Sequence, residues 1–130
     1  MKAERIDEAS LRQLVESFYA RVRADDRLGP IFNDAVDDWP AHIDRLVDFW
    51  SSVMLSSGRY KGQPVPVHMA HRDRITPALF DHWLNLWSQT TDAVMVPAAA
   101  AALQDKAQRI AESLQLALFF RLGVPPAAGA

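Results

Sequence analysis

The amino-acid sequence predicts an all-α domain with four main helices and one long connector. Apolar side chains recur at spacings of three and four residues in four segments, the pattern of helices with one buried face. No window of useful length alternates apolar and polar residues with period two, so strands are not predicted. Proline, glycine and helix-capping residues separate the four segments.

The first helix is predicted to open at Ser10, because Ser10 and Gln13 have the spacing of a capping box. Its apolar stripe comprises Leu11, Leu14, Val15, Phe18, Tyr19 and Val22. Residues 28–30 (LGP) end this segment and predict a turn. A second helix is predicted from about Asp38, since a proline such as Pro40 is tolerated in a first turn. Its apolar positions are Ile43, Leu46, Val47, Phe49, Trp50, Val53 and Met54.

A polar connector, residues 56–76, follows the second helix and holds His68 near its middle. Loops longer than about 12–15 residues are uncommon in compact domains and usually serve a function. The connector also contains Gly58, Gly62, Pro64 and Pro66. These residues predict a backbone that bends and then runs extended into His68.

Two further helices complete the predicted domain. Thr76 and Pro77 open the third helix, which Val96 and Pro97 end. The fourth helix is predicted over residues 98–122, with a glycine next as its stop signal. Residues 1–124 are thus predicted to form a single domain, and residues 125–130 a flexible tail.

Composition excludes several classes of function. The 130 residues carry a net charge of -2, with 14 basic and 16 acidic side chains, which gives no electrostatic basis for binding nucleic acid. Without cysteine the chain forms no disulfides, iron–sulfur clusters or thiolate haem ligation. The charged start is not a signal peptide, and no apolar run reaches the roughly 18–20 residues of a membrane span. We therefore expect a cytoplasmic monomer.

The histidines are the first candidates for chemistry: His42, His68, His71 and His82. His68 lies between segments rich in large aromatics and is a candidate axial ligand for a flat metallo-cofactor; the alternative is a solvated loop histidine. His68 and His71 also have an H-x-x-H spacing, but a zinc site needs three or four ligands in a compact cluster. His42 is either a polar residue at the core edge or part of the lining of a ligand pocket.

Tyr19 and Trp83 are candidate hydrogen-bond donors. Each alone is most often a core aromatic whose polar tip meets a backbone acceptor. Together, they would suit a small ligand that accumulates negative charge, because both side chains donate.

The chain resembles the truncated haemoglobins, specifically the third group of that family, over nearly all of residues 6–122. No single matching segment is specific, but the set is. The matching segments are FYARVRADDRLGPIF (18–32), WPAHIDRLVDFWSSVML (39–55), YKGQPVPVH (60–68) and FDHWLNLW (80–87).

This resemblance implies a two-over-two helical sandwich around haem b, iron protoporphyrin IX, with His68 as the proximal iron ligand. On the distal side it implies Tyr19, Trp83 and His42, with Leu46 one turn beyond His42. The remaining cofactor contacts that it implies are Phe32 on the porphyrin, Phe49, Trp50 and Met54 in the hydrophobic shell, and Tyr60, Lys61 and Arg72 near the propionates.

One departure from the family pattern concerns the proximal ligand. Between His68 and Trp83 the chain is about one residue longer than its relatives, and it has HRDR at positions 71–74 where they are apolar or proline-rich. His71 is therefore a rival proximal ligand. The spacing from Gly62 through Pro64 favours His68.

The function implied is reversible binding of oxygen and other diatomic ligands, namely nitric oxide, carbon monoxide and cyanide, at a five-coordinate iron. Two distal donors predict slow oxygen release, which argues against simple transport. Nitric oxide detoxification and peroxide chemistry are also compatible with the resemblance, and turnover would require a reductase. The alternatives are a haem-based sensor or interaction module, and a haem-free helical binding protein.

Overall fold

A computed structural model of the chain describes residues 1–62, 68 and 74–120, except for the side chains of residues 119 and 120. The described α-helices are α1 Glu8–Ala24, α2 Gly29–Ala35, α3 Trp39–Leu55, α4 Pro77–Val94 and α5 Pro97–Gln115, and a π-helix, Leu116–Phe120, continues α5. Within these described ranges there is no strand, and β-type pairing is limited to an isolated bridge between Ala3 and Met95. The prediction of an all-α fold is confirmed.

Helix α1 begins earlier than predicted. Asp7 is its N-cap: the Asp7 carboxylate accepts a hydrogen bond from the Ser10 backbone N–H, and the Ser10 hydroxyl accepts one from the Asp7 backbone N–H, both at 2.9 Å. The capping box predicted from Ser10 and Gln13 is therefore wrong. The capping box is formed by Asp7 at the N-cap and Ser10 at the third helical position. The sequence alone did not distinguish the two, because aspartate and serine cap helices about equally well.

The turn predicted at residues 28–30 is instead the start of the short helix α2. A Cβ atom at Gly29 would lie 2.7 Å from the Arg23 carbonyl oxygen, so α2 can fold back this closely on the end of α1 only with glycine there. The Asp25 carboxylate accepts hydrogen bonds from the backbone N–H groups of Arg27 and Leu28 and so organises the connection. This corner brings α2 onto α1 directly beside the candidate site.

The predicted starts of the second and third helices are confirmed. Asp38 caps α3 by accepting a hydrogen bond from the Ala41 N–H at 3.1 Å, with a proline in the first turn. Thr76 caps α4 by accepting one from the Leu79 N–H at 3.2 Å, and a proline again follows. Helix α3 ends at Leu55, and its C-cap Ser56 adopts the left-handed conformation, with φ 57°.

The connector and the last helix differ in part from prediction. His68 has helical rather than extended backbone, since the restriction imposed by a proline falls on the residue before it and not on one two positions later. The fourth predicted helix gives way to π-helical geometry at Leu116. Residues 121–130 lie outside the described residues, so the end of that helix, the domain boundary and the tail remain predictions.

Helix α1 lies at the centre of the packing and contacts α2, α3 and α4, while α4 also packs against α5. Its fully buried side chains Leu11, Leu14 and Phe18 meet Trp87 of α4 and Leu103 of α5 in one core. The Trp87 indole N–H donates to the Leu103 carbonyl oxygen at 3.2 Å and ties α4 to α5. The predicted two-over-two sandwich of α1 and α3 with α4 and α5 is confirmed. Among the described helices, none has the length and apolar character to cross a membrane.

Candidate functional site

Tyr19 lies at the centre of an aromatic group to which three helices contribute. The centroid of its ring lies 5.8 Å from that of Phe32 on α2, and 6.1 Å and 6.0 Å from those of Trp39 and His42 on α3. The Tyr19 side chain sits deep in this group, because the residue is only 4% exposed. The fold thus brings together Tyr19, His42 and Phe32, and their roles toward a cofactor stay predictions.

Trp83 joins this group from α4. From there its indole N–H acts on the Tyr19 hydroxyl as a donor, which by itself lowers the pKa of Tyr19. Burial has the larger effect and raises the pKa of Tyr19 well above its usual value. Tyr19 is consequently a neutral phenol at physiological pH, and its hydroxyl proton is available for a hydrogen bond to another group.

The Trp83 ring is held between two aromatic neighbours. It meets the edge of Phe18 of α1, with ring centroids 5.2 Å apart, and it stacks on Trp87 of its own helix at 5.6 Å with an interplanar angle of 7°. Trp50 of α3 stacks on the other side of Trp87 at 4.5 Å. The donor therefore stands at the half-buried end of a stack of three indoles.

His42 carries an unusual polar atom. Among the described residues that are not exposed, its Nε2 is a buried side-chain nitrogen without a hydrogen-bond partner. Burial lowers the pKa of His42, and the positive charge of Arg45 lowers it further, so the imidazole is neutral near pH 7. A buried polar atom left unpaired costs about 1–3 kcal/mol. Because nearly all buried polar atoms in folded proteins have a hydrogen-bond partner, the unpaired Nε2 makes His42 a candidate for contact with a ligand.

The apolar face of α3 continues from His42. Leu46, Phe49 and Met54 are half-buried and pack against the core without being covered by the described residues. Trp50 differs, because it is only 2% exposed and is sealed against Trp87. Leu46, Phe49 and Met54 are therefore accessible for contact with a flat apolar ligand, and the Trp50 ring packs on Phe49 with ring centroids 5.5 Å apart.

The connector residues predicted near the propionates are only partly described. The half-buried Tyr60 donates its backbone N–H to the Ser52 hydroxyl at 2.9 Å, and its ring meets the edge of Phe49 at 5.2 Å. Burial raises the pKa of Tyr60, partly offset by the nearby charge of Arg45. Lys61 is exposed.

The candidate iron ligands fall in the least described part of the chain. His68 is half-buried and has helical backbone. Both Arg72, the third candidate near the propionates, and His71, the rival ligand, lie outside the described residues. The choice between the two histidines therefore stays a prediction.

A small cavity of about 140 Å³ lies on the outer side of Tyr19, between α1 and α3. Its lining comprises Glu16, Tyr19, Ala20, Arg23, Trp39 and Ile43. The Arg23 guanidinium lies over the Trp39 ring, 4.5 Å from its centroid, in a cation–π contact at the edge of this space.

Two features of the site were missed in the sequence. Trp39 was not singled out, although its spacing of three from His42 places both on one face of α3. The contact of Asp25 with His82, at 2.8 Å, was also missed. No local pattern could have revealed it, because 57 residues separate the two positions.

This helical sandwich, with a tyrosine, a tryptophan and a histidine around one aromatic pocket, has the architecture of a globin. The chain matches the family described as bacterial-like globin over residues 6–119, and it belongs to that family. It is 33% identical over 123 residues to a group 3 truncated hemoglobin of Campylobacter jejuni, covering 92% of this chain and 96% of the relative. The crystal structure of the group III truncated hemoglobin from Campylobacter jejuni superposes with a TM-score of 0.82 at 34% identity, with 92% and 96% of the two chains covered. The resemblance to group III truncated haemoglobins is thus confirmed.

Membership in the globin family supports haem-based gas binding in general. The described residues fit a haem on two counts. Leu46, Phe49 and Met54 offer a half-buried apolar surface of the kind that covers a porphyrin. Beside this surface, the unpaired His42 Nε2 and the Tyr19 hydroxyl are polar groups available to a ligand in an otherwise aromatic pocket.

Proposed function

We propose that this protein binds haem b through His68 and reversibly binds oxygen and other diatomic ligands on the side of Tyr19, Trp83 and His42. When bound, the haem supplies a ferrous iron with one coordination position open to such a ligand. The observation that carries the proposal is the buried, unpaired His42 Nε2 beside the buried ring of Tyr19.

In this proposal Tyr19 and Trp83 work in series. The indole N–H donates to the phenol oxygen, and the phenol O–H donates to the ligand. Because a hydrogen bond to one side of a hydroxyl strengthens the bond it donates, Trp83 makes Tyr19 the better donor. A hydrogen bond to a ligand that accumulates negative charge contributes about 1.5–3 kcal/mol, so release of oxygen should be slow.

His42 and the apolar residues set the environment of the ligand. The neutral His42 imidazole can accept or donate a hydrogen bond without bringing a charge into the pocket, since its pKa is lowered. Phe32, Leu46, Phe49 and Met54 would pack on the porphyrin and keep water away, with Trp50 behind them. Tyr60, Lys61 and Arg72 are the proposed partners of the propionates.

Slow release favours chemistry on the ligand over oxygen transport. Oxidation of nitric oxide or reduction of peroxide would both use a donor aimed at the reacting oxygen atoms. Either turnover needs electrons from a separate reductase, which we propose as the protein partner of a monomeric globin.

Substitution of the two rival histidines tests the proposal. His68→Ala should abolish or greatly weaken haem binding, because the iron loses its protein ligand, whereas His71→Ala should leave it unchanged. The measurement is the Soret band of each variant after titration with haemin, together with the ferric and ferrous visible spectra. Loss of the band in His71→Ala alone would move the proximal ligand by three residues. A wild-type protein that takes up no haem would refute the proposal altogether.

A further inference from the structure

A partly buried pair, Asp25 and His82, joins the end of α1 to the start of α4. His82 Nε2 lies 2.8 Å from Asp25 Oδ1, and the two side chains are only 22% and 17% exposed. The other carboxylate oxygen, Oδ2, accepts the backbone N–H groups of Arg27 and Leu28 at 3.0 Å and 2.9 Å. Asp25 therefore connects three elements: α1, which it ends, the turn into α2, and α4.

The direction of the hydrogen bond between His82 and Asp25 follows from the protonation state of Asp25. Burial acts to raise the pKa of Asp25, but the hydrogen bonds from Leu28, His82 and Arg27 outweigh it and hold the pKa below its usual value. The carboxylate is therefore ionised and can only accept. His82 must donate through Nε2–H, so its ring is fixed in both orientation and tautomer.

His82 immediately precedes Trp83 on α4. Consecutive residues of an α-helix point about 100° apart, so a contact that fixes His82 also fixes the direction of Trp83 about the helix axis. A rotation of α4 by about 10° would move a side-chain atom at a radius of about 5–6 Å by about 1 Å. A hydrogen bond lengthened by that amount is lost.

The stacking of Trp83 on Trp87 does not prevent such a rotation. Trp87 lies one turn along the same helix as Trp83, and the two rings rotate together. Resistance must come from contacts with other helices. On the α5 side, these include the hydrogen bonds of Trp87 to Leu103 and of Gln104 to Thr91. On the side of α1, the helix that carries Tyr19, the contacts among the described residues include the edge contacts of Phe18 with Trp83 and Trp87 and the bond between His82 and Asp25. Of these contacts with α1, the last has the directionality and short range of a hydrogen bond.

We propose that Asp25 and His82 form a positioning pair, which holds α4 in the rotation that directs the Trp83 indole N–H toward the Tyr19 hydroxyl. Neither residue of the pair touches the ligand. The inference rests on the proposed function, because its consequence for oxygen release requires the distal role of Tyr19 and Trp83.

Three substitutions at His82 test the pair and leave the Asp25 turn intact. His82→Leu keeps the size of the side chain and removes the donor. His82→Gln retains a donor of similar reach, and His82→Asn retains one too short to reach Asp25. We expect oxygen release, measured by stopped flow, to become about two- to fourfold faster in His82→Leu and His82→Asn, the size of a lost polarising hydrogen bond. His82→Gln should restore the wild-type rate.

A second readout is independent of ligand kinetics. The indole N–H resonance of Trp83, assigned by its loss in Trp83→Phe, should shift in His82→Leu and return in His82→Gln in nitrogen–proton correlation spectra of the 130-residue chain. In a Trp83→Phe background, His82→Leu should have no further effect on oxygen release, since no indole is left to position.

The outcomes separate the two proposals. An unmoved Trp83 resonance in both His82→Leu and His82→Asn would overturn the positioning pair, as would an undiminished effect in the Trp83→Phe background. If Tyr19→Phe and Trp83→Phe leave oxygen release unchanged, the distal role in the proposed function fails. The Trp83 resonance would still test the pair in that case.

Discussion

Replacement of Tyr19 by phenylalanine removes the buried hydroxyl at the centre of the aromatic group and leaves the ring in place. In the proposed arrangement two hydrogen bonds are lost: the one that the phenol accepts from Trp83, and the one that it donates to the ligand. The second contributes about 1.5–3 kcal/mol if the ligand accumulates negative charge. Taken alone, that loss would speed oxygen release by about 10- to 150-fold.

The net effect should be smaller, because the freed Trp83 indole can donate to the ligand itself. If the indole bond recovers about half of that energy, about 0.8–1.5 kcal/mol remains lost, and the release rate of Tyr19→Phe rises by about four- to twelvefold. Trp83→Phe keeps the phenol donor and loses only its polarisation, so we expect an increase of about two- to fivefold. The double variant has neither donor and should release oxygen about 100-fold faster.

The assay is stopped-flow displacement of oxygen by carbon monoxide from wild type, the two single variants and the double variant. If the donors act in series and one can replace the other, the double variant should speed oxygen release by more than the product of the two single effects. Effects that multiply simply would indicate two independent donors and refute the series arrangement. Unchanged rates in both single variants would remove Tyr19 and Trp83 from the distal site.

The remaining predictions concern stability. His42→Leu should stabilise the haem-free protein by about 1 kcal/mol in urea denaturation, because it removes a buried unpaired nitrogen at similar volume. The substitution should also make the free energy of unfolding depend less on pH. The pKa of His42 is lowered from 6.5, so the neutral imidazole lets the folded protein keep its full stability above about pH 6.5. That stability is lost as the pH falls below this value, because the unfolded chain then binds the proton more readily. An unfolding free energy with the same slope below pH 6.5 in both proteins would contradict this. Gly29→Ala should lower stability by about 1–3 kcal/mol in thermal unfolding, because the new Cβ meets the Arg23 carbonyl at 2.7 Å. Gly58→Ala, where the Cβ meets nothing within 4 Å but φ is +70°, isolates the cost of backbone strain, and equal losses in the two variants would refute the steric argument.

Local patterns predicted most of the fold. The starts of α3 and α4 followed from Asp38 and Thr76, because cap residues act within one turn of where they stand. Helix α2 was not predicted, because it depends on contacts with another part of the chain. It is held by the approach of Gly29 to α1 and by the hydrogen bonds of Asp25, and neither contact appears in a periodicity of seven residues.

Part of the candidate site could likewise be predicted from the sequence, and part of it could not. Family resemblance singled out Tyr19, His42 and Trp83, and their contacts across α1, α3 and α4 are compatible with the predicted pocket. The resemblance gave no indication of the bond from His82 to Asp25. That bond depends on how two helices meet, which is a property of tertiary packing and not of either segment.

The stack of Trp50, Trp87 and Trp83 has an optical consequence. Three of the four tryptophans of the chain stand ring over ring, at centroid spacings of 4.5 Å and 5.6 Å, so their excited states are shared among neighbours. Near-ultraviolet circular dichroism and intrinsic fluorescence of this protein therefore originate mainly from the boundary between its two helical layers. A chromophore inserted beside Trp83 would quench that emission, and each stage of its uptake could be followed without any added label.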